Sequence, residues 1–237
     1  MPLPQINTPE YRLKLPSTDE EIRYRPFLVK EEKILLVAQE TGGDKATYDA
    51  IRKIIISCCL DPIDIDKLPL FDVEYLFLNI RAKSVGEIAK LKIKCPDDEE
   101  TQVEIEVDLT SITVQMEDEH TNKIELTDTI GVVLSYPSLM TVEQQSIDVP
   151  KGKETTALFD MIVGCIDQIW EGEEVHDASD YKKKELTDFL EGLDHAHFEK
   201  IQNFFATMPM LKKEIEVTNP KTGVTSKMVL SGLQSFF

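Results

Sequence analysis

Cys95-Pro96-Asp97-Asp98 has the outline of one half of a zinc site, in which two thiolates grip a metal from a tight hairpin turn. Tetrahedral zinc takes four ligands from two such turns facing each other. Asp98 stands where the second thiolate belongs. Asn219-Pro220-Lys221-Thr222 repeats the outline near the end of the chain without any thiol. One thiol of four holds no structural metal, so both stretches read as ordinary hairpins. Of the four histidines, His195 and His197 point about 200° apart on a helix and share no ion. Asp194 is close enough to orient one of them as a general base. Cys58 and Cys59 sit in an apolar run without a close basic partner, as small buried hydrophobes do. The carboxylate runs Asp97–Glu100, Glu117–Glu119 and Glu173-Glu174 are too evenly spread to single out an acid–base pair and read as solvated loops. Glu117-Asp118-Glu119 lacks the spacing of a calcium loop. Gly42-Gly43-Asp44-Lys45 lacks that of a phosphate loop. The sequence assigns no catalytic residue, no metal ligand and no cofactor.

What remains are residues suited to contact. Tyr24-Arg25-Pro26-Phe27-Leu28-Val29-Lys30-Glu31-Glu32-Lys33 gathers aromatics, a proline and cations where a strand hands over to a helix. Arg81 and Lys83 add positive charge, and Phe236 and Phe237 close the chain. Arginine and aromatic side chains anchor interfaces, so Tyr24, Arg25, Phe27, Lys30, Lys33, Arg81, Lys83, Phe236 and Phe237 form the candidate partner-binding set. The competing reading is a packed corner with snorkelling side chains and a tucked C-terminus.

The elements that position these residues follow from periodicity. Tyr11, Leu13 and Leu15 alternate with Arg12 and Lys14, and Ile22 and Tyr24 resume the alternation after a turn-rich loop, which makes a hairpin. Helical spacing starts near Val29, with Leu28, Leu35 and Leu36 on one side, Lys30–Lys33 on the other, and Gly42-Gly43 as its end. Asp44 is placed to cap a second helix whose stripe is Thr47, Ile51, Ile54, Ile55 and Cys58, and Asp72 to cap a third with Val73, Leu76, Phe77 and Ile80. Residues 87–136 read as strands. Lysines at 90, 92 and 94 face glutamates at 104 and 106 across an expected hairpin. Leu158, Ile162, Cys165, Ile166 and Ile169 predict a helix running to Trp170, followed by an acidic loop over Glu171–Asp180. Two further helices lead to a closing hairpin around Asn219–Gly223. The fold class is α+β: an N-terminal hairpin and helices, a central antiparallel β block, then helices with a closing hairpin. A seam over Thr141–Glu154 divides the chain into 1–140 (hairpin, three helices and β block) and 141–237 (helical lobe with hairpin).

Composition narrows the function. The chain has 237 residues, with 44 acidic against 26 basic for a net charge of −18. That charge repels nucleic acid, which is bound through clustered cations. With 41% hydrophobic residues the chain can bury a core. No apolar run approaches the ~20 residues of a membrane span, and Met1-Pro-Leu-Pro lacks the pattern of a secretion signal. With four cysteines and no disulfide framework, the expectation is a protein of a reducing cytoplasm.

Five stretches are familiar as ordered blocks: Met1-Pro-Leu-Pro, Arg23–Lys33, Leu70–Leu78 with Arg81–Gly86, His120–Ile124, and Gly232–Phe237. Together they resemble the T4-like phage baseplate hub assembly family, over most of the chain and least over Thr141–Lys182. The resemblance implies a contractile-tail protein needed to build the baseplate hub, without catalytic residues to carry over. Its implied partners are other baseplate hub proteins, met in the host cytoplasm during assembly, and the resemblance leaves open whether the chain then stays in the virion baseplate or is a transient assembly factor. The hub's rotational symmetry implies several copies, hence a possible homo-oligomer. Some members keep paired cysteines at the hairpins around Cys95 and Asn219, and this sequence departs from them there. Two other readings stand beside this one: a chaperone that keeps a tail protein soluble through its charge, and a hydrolase built from distant carboxylates and His195 or His197.

Overall fold

The computed structural model describes residues 7–98, 100–146 and 154–236. β1 (Tyr11–Lys14) and β2 (Glu21–Tyr24) form the expected hairpin, with Leu13 opposite Ile22. α1 (Val29–Thr41) and α2 (Asp44–Cys58) follow. Gly42 and Gly43, at φ 71° and 90°, turn the chain between them in a conformation open to glycine. Gly43 is the cap of α2, and Asp44 its first helical residue. The faces of α1 differ from the expected ones. Glu31 and Ala38 are buried, while Leu28 and Leu36 are exposed.

α3 (Leu70–Val85) buries Val73, Leu76, Phe77 and Ile80 as its spacing predicts. Asp72 is inside this helix, fully buried, and is not a cap. Its carboxylate accepts from the backbone N–H and hydroxyl of Ser17, pinning the β1–β2 loop to the helix. β3 (Ile88–Lys94) and β4 (Gln102–Asp108) pair with Lys90 opposite Glu106 and Lys92 opposite Glu104. β5 (Thr113–Gln115), β6 (Lys123–Glu125) and β7 (Ile130–Leu134) complete the strand block. α4 (Leu139–Ser146) occupies part of the expected seam, and residues 147–153 lie outside the described residues.

The long helix expected to reach Trp170 stops early. α5 spans Glu154–Gly164, and the chain then forms β8 (Ile166–Glu171) and β9 (Glu174–Asp177). Ile166, Ile169 and Trp170 fit a helical period, but pairing with β7 overrides it. Gly131 shows why: it lies opposite Trp170, and a Cβ there would fall inside the indole ring edge. Gly172, at φ 61°, turns the β8–β9 hairpin through the acidic stretch read as a loop. α6 (Lys183–Glu191) and α7 (His195–Thr207) come next. Asp194 caps α7 by accepting from the backbone N–H of His197 at 2.9 Å. β10 (Met210–Thr218) and β11 (Thr225–Ser231) close the chain.

The fold is α+β, with small antiparallel sheets ordered β1-β2, β3-β4, β11-β10-β5 and β6-β7-β8-β9. Two compact units emerge, one of residues 1–65, 71–115 and 210–237, the other of 66–70 and 116–209. This differs from a linear division at residue 140. Met210 pairs with Gln115, so the closing hairpin returns to the first unit instead of following the helices that precede it. The second unit's core packs Ile124, Leu126, Val132 and Leu134 against Ile162, Val163, Leu186, Leu190, Ile201 and Phe204.

Candidate contact site

The strand-to-helix corner is built around one buried carboxylate. Glu31, 1% exposed, accepts from the backbone N–H of Leu28 at 2.8 Å, from Ser57 Oγ at 2.6 Å and from Arg25 Nη2 at 3.0 Å. Burial alone would raise its pKa, but the bonds from Ser57, Arg25 and Leu28 outweigh it and hold the group at about 2. Arg25 also donates to the carbonyls of Pro26 and Ser57 at 2.9 Å. Tyr24 is buried against Tyr11, its phenol pushed up to about 12 by burial. Phe27 is buried too, with its N–H bonded to Ser84 Oγ. Tyr24, Arg25 and Phe27 therefore form the inside of the corner.

Lys30 and Lys33 are on the surface, Lys30 with its Nζ 3.3 Å from Glu31. Beside them α1 exposes Val29 (80%), Leu36 (53%) and Val37 (49%). At 100° per residue, positions 29, 33, 36 and 37 fall on one face, opposite the buried Glu31 and Ala38. Of the other sequence candidates, Arg81 is half-buried, which lowers its pKa. Lys83 pairs with Glu87 at 2.5 Å and lies over the Tyr11 ring. Phe236 belongs to a final helical turn, Leu233–Phe236, that docks through the Leu233 N–H on Glu74 of α3 at 3.0 Å. Phe237 lies outside the described residues.

The two metal-site outlines do meet. Asp97 accepts from Asn219 Nδ2 at 3.0 and 3.1 Å and from Thr222 Oγ1 at 2.5 Å, which join turns 122 residues apart. The bonds from Thr222 and Asn219 pull the Asp97 carboxyl below its ordinary range. Asp98 is lowered likewise by the Thr101 hydroxyl and N–H. Cys95 is buried beside this clasp. Hydrogen bonds thus join the two turns.

The remaining chemical residues stay apart. His197 Nδ1 lies 2.8 Å from the capping Asp194, as the sequence allowed. His120 is 2.9 Å from Thr207 Oγ1 and 3.1 Å from the Tyr136 hydroxyl, its pKa lowered by burial. Burial pushes the Cys58 thiol up to about 11 and those of Cys59 and Cys165 to about 12, the opposite of an activated nucleophile. Among the described residues, no three His, Cys, Asp or Glu side chains converge to hold a metal. No helix among them is long and apolar enough to cross a membrane.

A family model described as T4 bacteriophage base plate protein matches residues 8–237. The chain belongs to this family. The match takes in both compact units and every candidate contact residue. No curated protein and no solved structure matches. The exposed apolar face of α1 is the feature that sequence reasoning missed. Its signal was present in Ile34-Leu35-Leu36-Val37-Ala38, an apolar run too long for one buried helix face.

Proposed function

We propose that this baseplate protein is a hub subunit or hub assembly factor that works by protein–protein contact, with the outward face of α1 as its contact surface. The observation that carries the reading is Val29, Leu36 and Val37 held in the open next to Lys30 and Lys33. Three exposed aliphatic side chains on one helix face gain free energy only when covered. The Arg25–Glu31–Ser57 network anchors the start of that helix, so the face is presented without further ordering. Its partners are other hub proteins, met while the tail is built.

The test is recovery of baseplate intermediates from infected cells on a tagged chain carrying Lys33→Glu and Leu36→Asp. Both positions are exposed, so circular dichroism and Tm stay as in the unaltered protein. Recovery falls at least tenfold if the face is the contact. Unchanged recovery removes α1 from the proposal. Mass spectrometry of purified particles then separates a retained subunit from a factor released after assembly.

A further inference from the structure

In the second unit, one face of β7–β9 and the side of α6 enclose an apolar cleft of about 420 Å3. Register fixes its floor. Ile130 lies opposite Glu171, and Ile169 lies opposite His176. Alternation then puts residues 169 and 171 on one face of β8. Leu186 and Phe189, three apart on α6, form the wall. Tyr181 closes one end, its hydroxyl 2.7 Å from His176 Nδ1.

The lining is mostly aliphatic and aromatic, and its polar groups are two carboxylates and the His176–Tyr181 pair, which bond each other. Glu171 and Glu185 both line the cleft and are exposed. Among the described residues neither has an ion-pair partner, although Glu185 accepts from the Lys182 N–H to cap α6. The unit around them holds 21 acidic and 8 basic residues, a net −13. An anionic segment is repelled from such a cleft, and a purely apolar one leaves both carboxylates without a counter-charge. A lysine or arginine beside an aliphatic residue satisfies both features, because its hydrocarbon stem lies on Ile169 and Phe189 while its cation reaches the rim.

We infer that this cleft docks a basic, apolar segment of a partner protein. The inference rests on the contact reading above and adds the partner's chemistry. The surrounding charge speeds the encounter and makes it sensitive to salt, and the apolar floor supplies affinity that salt does not remove.

The test uses the full chain and a fluorescein-labelled peptide of alternating leucine and lysine, read by fluorescence anisotropy, with a leucine–glutamate peptide as counter-probe. Glu171→Gln with Glu185→Gln removes the rim charge, and glutamine retains the cap that Glu185 makes. Glu104→Gln with Glu106→Gln, on β4 of the other unit, removes the same charge elsewhere. The expected result is about tenfold weaker binding for the cleft pair, less than twofold for the control pair, and no binding of the glutamate peptide. Equal weakening by both pairs, equal binding of both peptides, or no binding of the lysine peptide to the unaltered protein overturns the inference. None of these outcomes bears on the α1 face, which is on the other unit.

Discussion

Glu31, Asp72, Thr101 and Asn219, the buried polar residues among those described, all lie in the first unit, whereas the core of the second packs Ile124, Val132, Ile162, Leu190, Ile201 and Phe204. The first unit is assembled from three separate stretches of chain, and its polar contacts tie parts distant in sequence: Ser17 to Asp72, Arg25 and Glu31 to Ser57, Asp97 to Asn219. Apolar contact is non-directional and tolerates a shifted register, while a buried hydrogen bond does not. The second unit is nearly continuous, so chain connectivity already limits its registers. Charge divides the other way. The first unit carries a net −5 and the second −13. The first unit buries two carboxylates, Glu31 and Asp72, and among the described residues the second buries no charged side chain.

Breaking the first unit's network has the largest effect. Arg25→Ala leaves Glu31 buried beside only Ser57, the Leu28 N–H and the exposed Lys30. Loss of one member of a buried pair costs about 3–5 kcal/mol, measured by urea unfolding. Leu36→Ala, on the exposed face of the same helix, stays within about 0.5 kcal/mol.

Acid separates the units next. The folded pKa of Glu31, about 2, lies below its ordinary 4.5. Its contribution is therefore fully present above pH 4.5 and disappears as pH falls towards 2. That is about 3 kcal/mol from this one group. Asp97 and Asp98, also lowered, act in the same direction. In the second unit the lowered carboxyls of Asp177 and Asp194 are exposed, and His120 is only half-buried, so acid acts on that unit through smaller effects than on the buried Glu31. Trp170, the single tryptophan, reports on the second unit alone. Its emission should hold to lower pH than the far-UV signal that includes the first.

Gly131→Ala sharpens the comparison from the apolar side. It drives a methyl into Trp170 and costs about 1–3 kcal/mol, with a change in tryptophan emission. The smallest effect is Asp194→Ala, which removes the α7 cap and costs about 1 kcal/mol by thermal melting.

Local physics made much of the fold legible. Period-two alternation located β1 and β2, lysine-against-glutamate complementarity paired β3 with β4, and Asp194 marked the start of α7. The misreadings share one cause, a partner remote in sequence. Ile166–Trp170 fits a helical period until β7 and Gly131 claim it. Asp72 has the spacing of a cap until Ser17 reaches it. Arg25 has the chemistry of an interface anchor, and the Glu31–Ser57 pair draws it inside. Of the candidate site, Lys30 and Lys33 were legible. Leu36, exposed on the same face as Lys33, was placed opposite it, because nothing local announces that Glu31 is buried. The two hairpin outlines were visible in Cys95–Asp98 and Asn219–Thr222, but the clasp that joins them spans 122 residues.

The α1 face is proposed to fit against other baseplate proteins. A photo-crosslinking residue placed at Leu36 during infection, with the products identified by mass spectrometry, tests it most directly. Cross-links to other baseplate proteins are expected from position 36, well above those from the same residue placed at Glu104. Equal yields from the two positions would contradict it.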